Sequence, residues 1–148
     1  MAYIIRDANV DDLAAIRDVR TSVRENHLSA EQLDARGITT ELVRDALLAD
    51  PCLWVAEDDG EIVGFSMAGV EDGCVFALFV RPEHEGRGLG RRLMKLAEGF
   101  LFERFDRIWL ETDGASRAAG FYRRHGWEAT ETFDNGDVRF EKPRGSST

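Results

Sequence analysis

Phe76-Ala77-Leu78-Phe79-Val80-Arg81-Pro82-Glu83-His84-Glu85-Gly86-Arg87-Gly88-Leu89-Gly90-Arg91-Arg92 is the stretch whose reading decides the fold. Cys74 to Val80 is an unbroken apolar run, short enough for a strand covered on both faces. Pro82 has no N–H to give a ladder, so it ends the pairing. Gly86, Gly88 and Gly90 then alternate, and a helix is predicted to follow. Its apolar residues, Leu89, Leu93, Leu96, Ala97, Phe100 and Leu101, share one face at the helical period.

Arg87, Arg91 and Arg92 crowd the turn that opens this helix. A helix N-terminus is the positive end of its dipole, so each cation there costs about 0.3–1 kcal/mol. Local rules tend to break where function requires it. Open backbone N–H groups, glycines that admit a ligand and surplus arginines together describe an anion site, with phosphate the natural anion. A glycine-rich turn with solvated arginines is the plainer reading. The pattern Gly-x-x-x-x-Gly-Lys-Ser/Thr is absent, which excludes a Walker loop. A dinucleotide site is a closer rival, because a strand carrying Glu111 follows the helix. The spacing is nevertheless Gly-x-Gly-x-Gly, and Arg81 to Glu85 intervene where a dinucleotide fold needs a tight turn.

The pattern that fits resembles the GNAT superfamily of N-acetyltransferases. Their acetyl-CoA motif, Val-x-Pro-x-x-(Gln/Arg)-Gly-x-Gly-x-(Gly/Ala), is similar to Val80 through Gly90. A second motif, Ala-x-x-Phe-Tyr-x-x-x-Gly-Phe, is similar to Ala118-Ala119-Gly120-Phe121-Tyr122-Arg123-Arg124-His125-Gly126-Trp127. Order and spacing agree, and the likeness covers nearly the whole chain. Two departures stand out. Glu85 occupies a position where Gln or Arg is commonest, and repulsion from a pyrophosphate implies that its side chain turns away. Ala115 stands where an asparagine often precedes the second motif, leaving Ser116 or Asp113 to take over that contact.

The 148 residues carry a net charge of −9, with 43% hydrophobic and 32% charged residues. The length predicts one domain, residues 1–144, with a short tail over 145–148. The acidic balance disfavours nucleic acid, whose phosphates it repels. It is compatible with attraction of a cationic amine, or with solubility alone. No apolar run approaches the roughly 18 residues that span a bilayer. The N-terminus lacks the features of a signal peptide, so a cytoplasmic protein is expected, with no membrane partner. Cys52 and Cys74, both in predicted strands, read as buried free thiols. Three scattered histidines suggest no metal site.

Along the chain, Tyr3 to Arg6 predicts a first strand. Asn9 and Asp12 have the spacing of a capping box. Leu13, Ile16, Val19 and Val23 give the helix that follows its apolar stripe. Ser29 with Gln32 predicts a second cap, and Thr39 or Thr40 a third, for a helix stopped by Pro51. Strands over 52–57 and 61–68 are joined by Asp58-Asp59-Gly60, and 74–80 completes an antiparallel meander. After the glycine helix, 107–112 should pair in parallel with the 74–80 strand. A helix over 115–125 ends at Gly126, and strands over 128–132 and 138–141 form a hairpin around Asn135-Gly136. The expected fold class is α/β (α+β): a GNAT acyl-CoA N-acyltransferase fold, with a mixed central sheet of about seven strands flanked by about four helices.

The resemblance implies acetyl transfer from acetyl-CoA, as donor co-substrate, to a primary amine of a small molecule or peptide by direct attack in a ternary complex. It assigns the pantetheine arm to the backbone of Leu78, Phe79 and Val80, and the pyrophosphate to the amides of Gly86, Arg87, Gly88, Leu89, Gly90 and Arg91. Ser116 is expected at the pantetheine. An N–H at Phe79 or Val80 would face the developing oxyanion. Tyr122 is the expected general acid, since a phenol suits the protonation of a leaving thiolate. Glu111, Glu25 and His27 are candidate bases, with Glu111 favoured. Glu25, Asn26 and His27 are candidate acceptor contacts. Trp54, Phe65, Phe76 and Trp109 are candidates for the acceptor pocket or for the core. No metal is expected, and a homodimer is one assembly open to such a chain. A non-catalytic acyl-CoA-binding or sensing domain is the alternative.

Overall fold

The computed structural model describes residues 3–24 and 27–145. Seven strands form one mixed sheet: β1 Tyr3–Asp7, β2 Leu53–Asp58, β3 Glu61–Gly69, β4 Cys74–Val80, β5 Arg107–Asp113, β6 Glu128–Thr132 and β7 Asp137–Pro143. The helices are α1 Leu13–Ser22, α2 Ala30–Ala35, α3 Thr40–Ala49, α4 Leu89–Phe102 and α5 Arg117–Arg124, one for each helix expected along the chain. Spatial order is β1-β2-β3-β4-β5-β7-β6, so the C-terminal hairpin turns back and inserts β7 beside β5.

Local chemistry accounts for most boundaries. Asn9 and Asp12 close a capping box ahead of α1, and Ser29 with Gln32 closes another on α2. Thr39, not Thr40, caps α3 through the amide of Leu42. Asp59 and Gly60 take positive φ in the β2–β3 turn, as a tight right-twisted hairpin requires.

Both faces of the sheet are covered. On one face, α4 and α5 bury Leu89, Leu93, Ala97 and Leu101 against Trp54, Val63, Ile108 and Phe140. On the other, α1 buries Leu13, Ile16 and Val19 against Val55, Phe65, Met67 and Ala77. Leu96 departs from the expected stripe: it is exposed, and Met94 is buried on α4 instead. Cys52 lies just ahead of β2 and Cys74 opens β4; both are free and buried. Burial, with the charge of Asp72 next, pushes the Cys74 thiol up to about 11, so it is a packing group and no ready nucleophile.

Two features of β4 shape the site. Its parallel pairing with β5 is confined to Cys74 opposite Trp109, where the Trp109 amide donates to the Gly73 carbonyl at 3.2 Å. Immediately beyond, the register with β3 shifts: Ala68 pairs with Val75 but Met67 with Ala77, leaving Phe76 as the extra residue of a bulge. A bulge bends its strand and re-aims side chains. From there β4 keeps its β3 partner while β5 follows β7, and the two strands part.

Candidate active site

The parting of β4 and β5 opens a cleft of about 1430 Å³ that runs between both faces of the molecule. One end is the glycine turn. Gly86 and Gly88 have φ of 75° and 81°, a region that disfavours a side chain even though a Cβ there would meet nothing. Gly88 is the N-cap of α4, and no side chain caps that helix. The amides of Leu89, Gly90 and Arg91 are therefore the open donors of a helix N-terminus, facing a cleft that these three residues line. Such a cradle fits a pyrophosphate.

The arginines of this turn divide. Arg91 lines the cleft, whereas Arg87 and Arg92 are not among its lining residues. Arg87 Nη1 donates to the Tyr3 hydroxyl at 2.9 Å, and that hydroxyl hydrogen-bonds His84 Nδ1 at 3.0 Å. Arg87 thus ties the turn to β1. Arg117 and Arg124 of α5, which the motif reading did not single out, supply cations on the opposite rim. Glu85 lines the cleft and pairs with Arg117 at 3.2 Å, so its carboxylate faces a cation across the rim.

Leu78, Phe79 and Val80 line the middle of the cleft. Among the described residues, the edge of β4 that faces β5 has no ladder partner beyond Cys74. Backbone groups at such an edge need polar partners, and an extended ligand can supply them.

Tyr122 closes the floor. It is buried against Phe121, Trp127 and Phe140 yet lines the cleft. Burial holds its pKa above the ordinary phenol value, so it stays a neutral O–H donor. His125 lines the cleft beside it; burial, then Arg91 and Arg124, lower its pKa and favour the neutral ring.

The remaining predicted residues separate. Glu111 lines the cleft with its carboxylate 3.9 Å from Arg139 Nη1. Ser116 does not line it. Its hydroxyl donates to the Asp113 carbonyl at 2.6 Å and accepts from the Ala119 amide at 3.3 Å, which makes it the N-cap of α5. His27 lines the cleft, with Nε2 3.1 Å from the Thr21 carbonyl oxygen. Glu25 and Asn26 lie outside the described residues. Phe65 and Phe76 reach the cleft; Trp54 is buried edge-on against Phe100, and Trp109 is covered by Arg139 while its indole N–H donates to the Asp72 carbonyl. Among the described residues no cluster of His, Cys, Asp or Glu could hold a metal ion, and no helix is long and apolar enough to cross a membrane.

One functional candidate escaped the motif reading. Arg20 lines the cleft from α1, its guanidinium carbon 4.1 Å from the centre of the Phe79 ring. The signal was present: Arg20 lies four residues after Ile16 and seven after Leu13, on the apolar face of its helix.

Known proteins resemble this chain in sequence and in fold. Residues 49–129 match the family model described as an acetyltransferase (GNAT) domain. The peptidyl-lysine N-acetyltransferase YiaC of Escherichia coli strain K12 is 34% identical over 91 residues, which are 61% of this chain and 59% of that protein. The mycothiol acetyltransferase of Kytococcus sedentarius is 32% identical over 143 residues, which are 92% of this chain and 47% of that protein. The chain spans about half the length of these curated relatives. Among solved structures, the PaiA N-acetyltransferase of Thermoplasma acidophilum in complex with coenzyme A superimposes with a TM-score of 0.77 at 18% identity, covering 97% of this chain and 99% of that one. At that identity the likeness is one of fold.

Proposed function

The chain belongs to the GNAT acetyltransferase family, and on that premise we propose that it transfers the acetyl group of acetyl-CoA to a primary amine of a small molecule or peptide, by direct attack within a ternary complex. The observation that carries this reading is the parting of β4 and β5, which leaves one continuous path from the open N-terminus of α4, along the free edge of β4, to Tyr122. The relative that is a peptidyl-lysine N-acetyltransferase supports an amine as acceptor.

Acetyl-CoA supplies an activated thioester, and its sulfur is the leaving group. The amides of Gly86 through Arg91 hold the pyrophosphate, with Arg91 as the cation of that turn that lines the cleft. The backbone of Leu78, Phe79 and Val80 orients the pantetheine arm like an added strand. An N–H at Phe79 or Val80 faces the carbonyl oxygen as negative charge develops there. Tyr122, kept protonated by burial, gives its hydrogen to the departing sulfur. Glu111 is the group assigned to take a proton from the arriving amine. Ser116 supports the site indirectly, by capping the helix that carries Tyr122.

The test is release of CoA thiol from acetyl-CoA across a panel of amines, with the native chain and Tyr122→Phe. Amine-dependent release that falls by roughly 10²–10⁴-fold in the variant is the expected result for loss of a general acid. Stabilisation by acetyl-CoA with no release from any amine would instead identify an acyl-CoA-binding module.

A further inference from the structure

Arg20 has no part in the reaction described above, and its surroundings are unusual. Its Nη1 is buried and lacks any hydrogen-bond partner, the one such side-chain nitrogen or oxygen among the described residues. A buried donor left unpaired costs about 1–3 kcal/mol, and more when charged. Burial, with the nearby charge of Arg36 second, disfavours its cationic form, yet a guanidinium does not deprotonate in proteins. The Phe79 ring offsets part of the charge through its face, but that face offers nothing to an N–H in the guanidinium plane.

Arg17, three residues earlier on the same wall, shows what satisfaction looks like. It donates to Asp34 Oδ1 at 2.6 Å, to the Ala30 carbonyl at 3.0 Å and to the Ile38 carbonyl at 3.1 Å. Arg24, Arg36 and His27 line that wall too. Among the described residues that line it between 13 and 43, none is a carboxylate. A chain of net charge −9 has therefore gathered cations on the α1 side of the cleft, and left Nη1 of one of them without a hydrogen bond.

We infer that the amine acceptor also carries a carboxylate, and that Arg20 binds this group at the α1 wall while the amine faces the end of β4. Arginine presents a planar fork that matches a carboxylate, and the Phe79 ring lies 4.1 Å from its central carbon. Because Phe79 belongs to β4, the strand assigned to the donor, the anion and the amine belong to one compact portion of the acceptor. This inference rests on the acetyl-transfer reading. A free amino acid and an acidic residue near a peptide amine offer the same chemistry.

The experiment uses matched acceptors that differ only in charge: alanine and alaninamide, β-alanine and β-alaninamide, and the amidated peptides Ala-Asp-Ala and Ala-Asn-Ala. Native protein, Arg20→Gln and Arg20→Lys are compared by kcat/KM and by thermal stabilisation with the same compounds in the presence of CoA. The native protein should favour the carboxylate member by roughly ten- to hundredfold, as expected for a hydrogen bond between charged groups. Arg20→Gln should abolish the preference and Arg20→Lys keep part of it, while stabilisation by CoA alone is retained in both. Which pair shows the preference separates free amino acid from peptide. Equal use of both members by the native protein, or a preference that survives in Arg20→Gln, overturns the inference and leaves acetyl transfer standing. If no amine is acetylated although CoA binds, acetyl transfer fails instead. The inference is then decided by stabilisation alone: carboxylate-dependent and Arg20-dependent stabilisation supports it, and absence of stabilisation by any carboxylate overturns it.

Discussion

Lys142 Nζ donates to both carboxylate oxygens of Glu98, at 3.1 Å each, in a place where the two side chains are 1% and 9% exposed. The same ammonium donates to the His125 carbonyl at 3.0 Å, and the Trp127 indole donates to Glu98 at 3.1 Å. One buried network thus joins α4, whose other end is the glycine turn, to β7 and to the end of α5, which carries Tyr122. Removing one partner strands the other charge, at a cost of about 3–5 kcal/mol, whereas replacing both by apolar groups is often tolerated. Lys142→Met should lower stability by that amount in urea unfolding. Lys142→Met with Glu98→Leu should recover much of it, less the unpaired Trp127 N–H. A single variant that unfolds like the native chain would show that the pair is dispensable.

Asp12 gives the fold an acid-sensitive joint. Its carboxylate takes a forked pair of bonds from Arg6, at 2.7 and 2.9 Å, and one from the Asn9 amide at 2.8 Å. The Arg6 bond, against some opposing burial, holds its pKa below the usual carboxylate value. A depressed acid contributes stability that is fully present above its unfolded pKa, about 3.9, and is lost as pH falls through the folded value. The native chain should therefore lose stability as pH drops below about 4. Asp12→Asn should be less stable at pH 7 by about 1.5–3 kcal/mol, with a flatter acid limb. Parallel acid limbs would remove Asp12 from that account.

Much of this architecture was legible because the signals were local. Asn9 with Asp12, Ser29 with Gln32, and Asp58-Asp59-Gly60 each satisfy their own backbone within four residues, so no tertiary contact could override them. The glycine turn was legible because positive φ leaves few alternatives to glycine. What depended on distant partners was not. Leu96 fits the apolar period yet is exposed, and Met94 takes the buried place. Trp109 is apolar on a central strand, yet Arg139 reaches over from β7 to cover it. Ser116 caps α5, a role that a serine just before a helix carries in its position, with the Asp113 carbonyl as its second partner. Arg20 is hidden in the sequence because a long cation on an apolar helix face ordinarily carries its head out to water.

Tyr122 should be visible in an alkaline titration. Burial holds its pKa above the ordinary phenol value, so the folded state keeps a proton that the unfolded chain gives up near pH 10. A raised acid contributes stability that is present below the unfolded pKa and is lost as pH rises toward the folded one. Stability should therefore decline above about pH 10, and Tyr122→Phe should remove part of that decline. With Tyr3→Phe as background, Tyr122 is the only tyrosine left, and phenolate absorbance should appear only as the fold is lost. Phenolate at an ordinary pKa in the folded protein would mean that the hydroxyl is solvated.

Gly88 and Gly90 look alike in the motif, but the geometry separates them. Gly88 caps α4 at φ 81°, where a side chain costs about 1–2 kcal/mol whatever the space. Gly90 lies inside α4 with no positive φ, and a Cβ there would meet the Phe121 ring at 3.8 Å, an ordinary contact. Gly90→Ala should hold or raise stability, by up to about 1 kcal/mol for a helix interior, and leave CoA binding near the native level. Gly88→Ala should lose stability and weaken CoA more than that loss explains, because the open amides of Leu89, Gly90 and Arg91 are aimed by the turn that Gly88 makes. Calorimetric binding of CoA to both variants decides the matter. Equal affinities would mean that the amides are not what holds the phosphates, and the anion site would then rest on the rim arginines Arg91, Arg117 and Arg124.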